Sequence, residues 1–256
     1  MCALKDLMEL KTSNPAFAGK TFTGSGVAVG YGPTMTISGT VNKAGILMLC
    51  VIATAIYTWN QAAVNGPASI GGYVMVGAFG GFIAAMVTVF KKEWSPITAP
   101  IYALLEGLFL GALSSVLEMR YPGIAIEAVA ATFGTCFCML LAYRSGLIRP
   151  TQKFTIGVIA ATGGIAVVYF LSMILSLFHV TVPGIFGSGP IGILFSLAVV
   201  IIASLNLILD FGMIEEGASR GAPKYMEWYG AFGLMVTLVW LYLEIIRLLS
   251  KLRDRR

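Results

Sequence analysis

The chain has 256 residues, of which 57% are hydrophobic and 11% are charged, and its formal net charge is +5. This composition excludes an ordinary soluble domain, in which about a quarter of the residues are charged. A basic chain can indicate a nucleic-acid partner, but here the Lys and Arg residues lie between apolar stretches of about twenty residues, the length of a transmembrane helix. We therefore predict an all-α, polytopic membrane protein that contacts a lipid bilayer and no nucleic acid.

The chain divides into a leader, a membrane domain and a tail. Residues 1–42 are polar, carry no signal-peptide pattern and are predicted to form a flexible leader. The membrane domain, residues 43–250, is predicted as a seven-transmembrane helical bundle, and residues 251–256 as a basic tail. The predicted spans are 44–63, 69–90, 98–117, 124–143, 154–178, 190–211 and 228–249.

The basic residues predict the orientation, because Lys and Arg concentrate in cytoplasmic loops. With the N-terminus in the cytoplasm, the outer loops contain only Arg120. The inner side then collects Lys5, Lys11, Lys20, Lys43, Lys91, Lys92, Arg144, Arg149, Lys153, Arg220 and Lys224. The end of the chain disagrees, because seven spans place Arg247, Lys251, Arg253, Arg255 and Arg256 outside. We favour a cytoplasmic N-terminus and leave the side of the tail open.

Three carboxylates lie within or at the edge of apolar spans: Glu106, Asp210 and Glu244. A carboxylate at this depth is costly and usually faces the bundle interior or a water-filled path. Asp210 follows Asn206 by four residues, so both side chains share one helix face. For Glu106 the structural alternative is a helix-packing hydrogen bond, and for Glu244 it is an ion pair with Arg247, three residues later.

Lys91 and Lys92 end the second span on the same side of the membrane as Asp210. They are candidates for a basic latch on that carboxylate, and the alternative is a simple positive-inside anchor. If Asp210 has a second carboxyl group as its partner, the two titrate as a coupled pair and can act as a pH gate.

No catalytic constellation is visible, so we expect no enzymatic activity and no cofactor. The single histidine, His179, lies in a predicted outer loop with no neighbouring acid. The cysteines form neither a zinc motif nor a redox motif.

Three segments resemble the Bax inhibitor motif family. They are LILDFGMIEEG at the end of span six, AFGLMVTLVWLYLEIIRLL in the last span, and KKEWSPITAPIYALLEGLFLGALSSVLE after span two. The resemblance covers about residues 40–250. The leader resembles a bacterial branch, which implies a multi-pass protein of the bacterial inner membrane.

The resemblance implies a pH-sensitive pore that leaks cations, chiefly calcium. Its sensor is a pair of aspartates in the last two spans, and a basic residue at the end of span two interacts with that pair. By position, Asp210 is the first aspartate, Lys91 or Lys92 is the basic residue, and Thr237 occupies the place of the second aspartate. Glu244, seven residues after Thr237, and Glu106 are alternative partners for Asp210.

Two functions from different classes follow. The first is a pH-sensitive calcium leak channel, in which Asp210 provides a weak calcium ligand and calcium is the permeant ion. The second is a non-transporting regulator that binds other membrane proteins, such as a protease or a cell-death factor. A proton-coupled transporter is less favoured, because no internal repeat is visible.

Overall fold

The computed structural model describes residues 33–178 and 185–255. Its long helices are α1 Ile37–Asn65, α2 Gly71–Phe90, α3 Ser95–Arg120, α4 Ile124–Arg144, α5 Gln152–Leu177, α6 Pro190–Ser219 and α7 Met226–Asp254. In the described part of the chain the one β-pairing is an isolated bridge between Thr34 and Pro223. The predicted all-α class is confirmed. Most of the predicted leader, the loop that contains His179, and Arg256 lie outside the described residues.

Each of the seven helices is long and apolar enough to cross a membrane. Large apolar side chains cover their outer faces. Between 58% and 78% of the surface of each of the following is exposed: Leu49, Phe79, Phe90, Phe137 and Phe170. Such surfaces are unfavourable in water and match lipid chains. The protein is therefore an integral, multi-pass membrane protein.

Two helix ends differ from the boundaries predicted by hydropathy. Helix α1 begins at Ile37, inside the predicted leader, because the Thr36 side chain accepts a hydrogen bond from the Gly39 N–H and caps the helix. Helix α7 continues to Asp254, so residues 251–254 of the predicted tail are helical. Hydropathy alone detects neither end, because both extensions are polar.

The structure divides into two compact units. Among the described residues, the α1–α3 unit comprises residues 33–125 and 212–236, and the α4–α7 unit comprises residues 126–178, 185–211 and 237–255. Helices α6 and α7 contribute residues to both units.

Glycines allow the helices of the α1–α3 unit to pack closely. Gly107 and Gly111 of α3 lie against the backbone of α1 at Val51 and Ala55, and a Cβ atom at either glycine would overlap that backbone. Gly77 of α2 lies equally close to the backbone of α3. Small residues at such contacts are typical of membrane helices, which gain stability mainly from close packing.

We predict that Gly111→Ala lowers the stability of the protein by about 1–3 kcal/mol, because its methyl group overpacks the contact between α1 and α3. Gly45→Ala in α1 is the matched control, since a Cβ atom there meets nothing within 4 Å. Unfolding midpoints in the same detergent compare the two variants. Equal midpoints would contradict the close packing at Gly111.

A buried carboxylate fastens the start of α1 to the start of α7. Glu227 is fully buried and accepts hydrogen bonds from the Thr36 N–H (3.0 Å) and the Thr36 hydroxyl (2.8 Å). It also forms ion pairs with Lys43 (2.6 Å) and Lys224 (2.7 Å). Gly39 makes room for it, because a side chain at that position would overlap the carboxylate. Two cations and two further donors thus offset the cost of burying this charge.

Backbone contacts extend the same junction. The Met35 N–H donates to the Ala222 carbonyl (2.7 Å), and the Ser95 hydroxyl at the start of α3 donates to the Tyr225 carbonyl (3.0 Å). The residues before α1 and the start of α3 are therefore both bonded to the turn between α6 and α7.

We expect Glu227→Gln to cost about 3 kcal/mol of stability, because it removes one member of a buried ion-pair network. Glu127→Gln is the control: Glu127 is half exposed and pairs with Arg253 at 2.7 Å. Exposed pairs contribute at most about 1 kcal/mol. Chemical denaturation in mixed micelles measures both. The role assigned to Glu227 is wrong if its variant is no less stable than the control.

Candidate functional site

The α4–α7 unit contains a set of polar side chains that repeats along its helices. On α5 and on α7 the repeat is seven residues, or two helical turns, so that each series lies on one helix face. We call the following residues the polar seam: Thr155, Thr162 and Tyr169 of α5, Ser196, Asn206 and Asp210 of α6, and Thr237, Glu244 and Lys251 of α7. All are buried except Thr162 and Tyr169, which are half-buried.

Asn206 and Thr162 join α6 to α5. The Asn206 amide donates to the Thr162 hydroxyl (2.9 Å) and to the Ile202 carbonyl of its own helix (2.9 Å). An amide that bridges two helices fixes their register as well as satisfying its own donors. The predicted face of Asn206 and Asp210 is therefore turned inward, and both residues are at most 1% exposed.

Glu244 is held by the neighbouring helix and by its own. The Tyr169 hydroxyl donates to the Glu244 carboxylate at 3.0 Å, and the Arg247 guanidinium donates to it at 2.9 Å. Arg247 also donates to the Tyr169 oxygen at 2.8 Å. The intrahelical pair of Glu244 and Arg247 predicted from their spacing is confirmed.

Asp210 is fully buried, and its carboxyl group does not face bulk water. A carboxylate so far from water is a costly feature that is retained mainly where a charge is sensed or conducted.

The contacts between the helices place the two acids at different levels. Glu244 contacts Tyr169 of α5, and Asn206 contacts Thr162, which lies seven residues earlier on α5. Asp210 lies four residues beyond Asn206, in the direction away from the level of Glu244. At about 1.5 Å of rise per residue, Asp210 and Glu244 are roughly 15 Å apart along the helix axes. This separation argues against Glu244 as the direct partner of Asp210, and the pairing of these two acids stays a prediction. Thr237 lies about 10 Å before Glu244, closer to the level of Asp210.

The remaining predicted site residues belong to the α1–α3 unit. Glu106 is half-buried on α3 and lies against Gly81 of α2, which leaves 3.0 Å between the carboxylate and a Cβ built at that glycine. Lys91 is exposed, and the Lys92 ammonium lies 5.6 Å from the centre of the Tyr229 ring. The latch between either lysine and Asp210 stays a prediction.

Sequence reasoning missed the residues that hold the predicted ones in place. Thr162 and Tyr169 on α5 are such residues. Glu227, which fastens α1 to α7 in the α1–α3 unit, was also missed. Lys251, assigned to the tail, is 95% buried at the end of the seam. The seven-residue spacing of polar residues in α5 and α7 is a signal that could have identified all but Glu227.

The seam offers oxygen ligands to a cation but no metal cage. Among the described residues, no three His, Cys, Asp or Glu side chains form a group that could hold a metal ion. A cation at Asp210 would meet one carboxylate with amide, hydroxyl or carbonyl oxygens. Calcium sites of high affinity use several carboxylates, so this arrangement favours weak binding.

The seven apolar helices and the buried polar seam define a multi-pass α-helical membrane protein. The model of the family described as Bax inhibitor 1 like matches residues 11–254. This match covers nearly the whole chain, so the protein belongs to that family, and the resemblance found in its sequence is confirmed. No curated protein and no solved structure matches the chain significantly.

We predict that Tyr169→Phe and Glu244→Gln are coupled. Each removes a charge-assisted hydrogen bond worth about 1.5–3 kcal/mol, so the double variant should be less destabilised than the sum of the two. A double-mutant cycle of unfolding free energies measures this. Tyr57→Phe is the control, because Tyr57 contacts Tyr73 on an exposed face. Additive effects of Tyr169→Phe and Glu244→Gln would contradict the contact.

Proposed function

We propose that the protein is a pH-sensitive leak pathway for cations, with calcium as the favoured ion, in a bacterial inner membrane. Cations cross along the polar seam of the α4–α7 unit, and the N-terminus is cytoplasmic. The observation that carries this proposal is the fully buried Asp210 in line with a series of buried oxygen-bearing side chains.

The length of the seam supports a path across the membrane. Two stretches, Thr155 to Tyr169 and Thr237 to Lys251, each span fourteen residue-to-residue steps, or about 21 Å of helix. This is most of the roughly 30 Å thickness of the hydrocarbon core. Asparagine, threonine and tyrosine oxygens along that distance can replace part of the hydration shell of an ion.

Asp210 is the residue proposed to sense pH. Its ionised form attracts a cation, and its protonated form can donate a hydrogen bond to a neighbouring oxygen, so the two forms favour different arrangements of α6. Thr237 takes the position of a second acid, and the sensor we propose therefore has one carboxyl group where the family resemblance implies two. A hydroxyl partner adds no like charge, so no proton is shared between two acids.

No catalytic role and no resident cofactor are part of this proposal. The ion is cargo in this scheme, since a single carboxylate gives a site from which calcium can leave.

We expect Asp210→Asn to reduce calcium entry into proteoliposomes on the order of tenfold, which corresponds to about 1.4 kcal/mol of lost stabilisation for the ion. The variant should also lose the dependence of entry on pH, because the titrating group is gone. An entrapped calcium dye measures both effects between pH 6 and pH 8, roughly the range in which protein switches operate.

Glu93→Gln is the matched control, since it removes one exposed acid outside the polar seam. It should leave the flux and its pH dependence unchanged. Equal flux in the wild type, in Asp210→Asn and in protein-free liposomes would overturn the proposed leak. That outcome would favour a non-transporting regulator, for which capture of partners from native membranes is the next measurement.

A further inference from the structure

Lys251 ends the polar seam with a cation that is covalently part of the protein. Its ammonium donates to the Ile185 carbonyl (3.0 Å), the Gly192 carbonyl (3.0 Å) and the Ser196 hydroxyl (2.9 Å). An ammonium group has three donors, and these three oxygens satisfy all of them. All three oxygens belong to neutral groups, although the side chain is 95% buried.

Neutral acceptors distinguish Lys251 from two other buried charges, Glu227 and Glu244. Glu227 and Glu244 each contact a residue of opposite charge, whereas Lys251 is held by dipoles. Arg247 and Glu244, on the same face of α7, are the charged groups within its electrostatic reach. A burial of this kind, without a carboxylate in contact, costs more than an ion pair and contributes little net stability.

The chemistry of the oxygens indicates which free ion could replace the ammonium. Calcium favours carboxylates, whereas the three oxygens at Lys251 are neutral and accept hydrogen bonds of ordinary length, 2.9–3.0 Å. Carbonyl oxygens that replace a hydration shell are the ligands of potassium filters. The site therefore fits a monovalent cation of the size of ammonium or potassium.

The position of the site decides what its occupant does. Lys251 lies seven residues beyond Glu244 on α7, and Ser196 lies ten residues before Asn206 on α6, so the ammonium is at the opposite end of the seam from Asp210. An ion that follows the seam meets this fixed positive charge, which repels it and already occupies the oxygens that it needs.

We infer that the Lys251 ammonium is a tethered cation, which fills a monovalent-cation site of the Ile185, Gly192 and Ser196 oxygens and closes this end of the seam to free cations. The inference rests on the proposed leak, whose path it restricts. A leak that is closed at one end conducts only when the end of α7 moves, and the hydrogen bonds of Lys251 are what such a movement must break.

The test measures potassium flux in proteoliposomes loaded with a potassium-sensitive dye. Lys251→Met should raise the flux on the order of tenfold, a barrier change of about 1.4 kcal/mol, because it removes the charge and keeps the length of the side chain. Lys251→Arg keeps the charge and should retain the low flux. The double variant Lys251→Met with Asp210→Asn should fall below Lys251→Met, since both residues act on one path.

Amine rescue separates the tethered cation from a purely structural clamp. In Lys251→Ala, n-propylammonium, which matches the missing part of the lysine side chain, should lower the potassium flux again, whereas propanol of similar size should not. Unfolding midpoints show whether each variant is folded, and the rescue is read within one variant, so a loss of stability does not mimic it. Flux in folded Lys251→Met equal to that of the wild type would overturn the inference, as would an absence of rescue by the amine.

The outcomes also separate this inference from the proposed function. Calcium flux that depends on Asp210 but not on Lys251 leaves the leak standing and defeats the tethered cation. Potassium flux that appears only in Lys251→Met, with no calcium flux in the wild type, supports the tethered cation and defeats the calcium leak. No flux in any folded variant defeats both.

Discussion

A charge inside an apolar helix bundle must be satisfied by other groups of the protein, because lipid offers no hydrogen bonds. Among the described residues, three of the four buried charged side chains, Glu227, Glu244 and Lys251, meet this requirement in different ways. Glu227 is neutralised by two lysines and Glu244 by an arginine with a tyrosine hydroxyl, whereas Lys251 is held by neutral oxygens. The first arrangement fastens a junction of helix ends. The other two lie on the polar seam. Close packing of helices alone does not explain why the protein bears the free-energy cost of burying the charges of this seam.

Much of the fold could be predicted from the sequence, because crossing a bilayer requires helices of a fixed minimum length. The apolar stretches identified all seven helices. Their ends were harder to predict: α1 starts at Ile37 because Thr36 caps it, and Thr36 is held by Glu227, which lies 191 residues away in the chain. Hydropathy contains no information on such a contact. It also could not show that α7 continues to Asp254 with Lys251 buried.

The candidate site was predictable where its signal is local. Asn206 and Asp210 share a face because they are four residues apart, and Glu244 pairs with Arg247 for a similar reason. Contacts between helices are not contained in such spacings, so the bonds from Asn206 to Thr162 and from Glu244 to Tyr169 came only from the structure. Those bonds separate Glu244 from Asp210 along the helix axes. Glu244 had been suggested as a partner because it follows Thr237 by two helical turns, and a spacing within α7 carries no information on its level relative to Asp210 on α6.

The basic residues at the end of the chain bear on the orientation of the protein. The positive-inside rule counts Lys and Arg in the loops that flank spans, where they resist transfer across the membrane. Arg247 and Lys251 lie within α7 and are bonded to the polar seam, so they belong to the span and not to a flanking loop. Arg120, Arg253, Arg255 and Arg256 then oppose the other side, whose eleven basic residues become ten when Lys43, which lies within α1, is left out as well. The apparent conflict between the tail and the internal loops is reduced accordingly, and the remaining imbalance supports the cytoplasmic N-terminus that we propose.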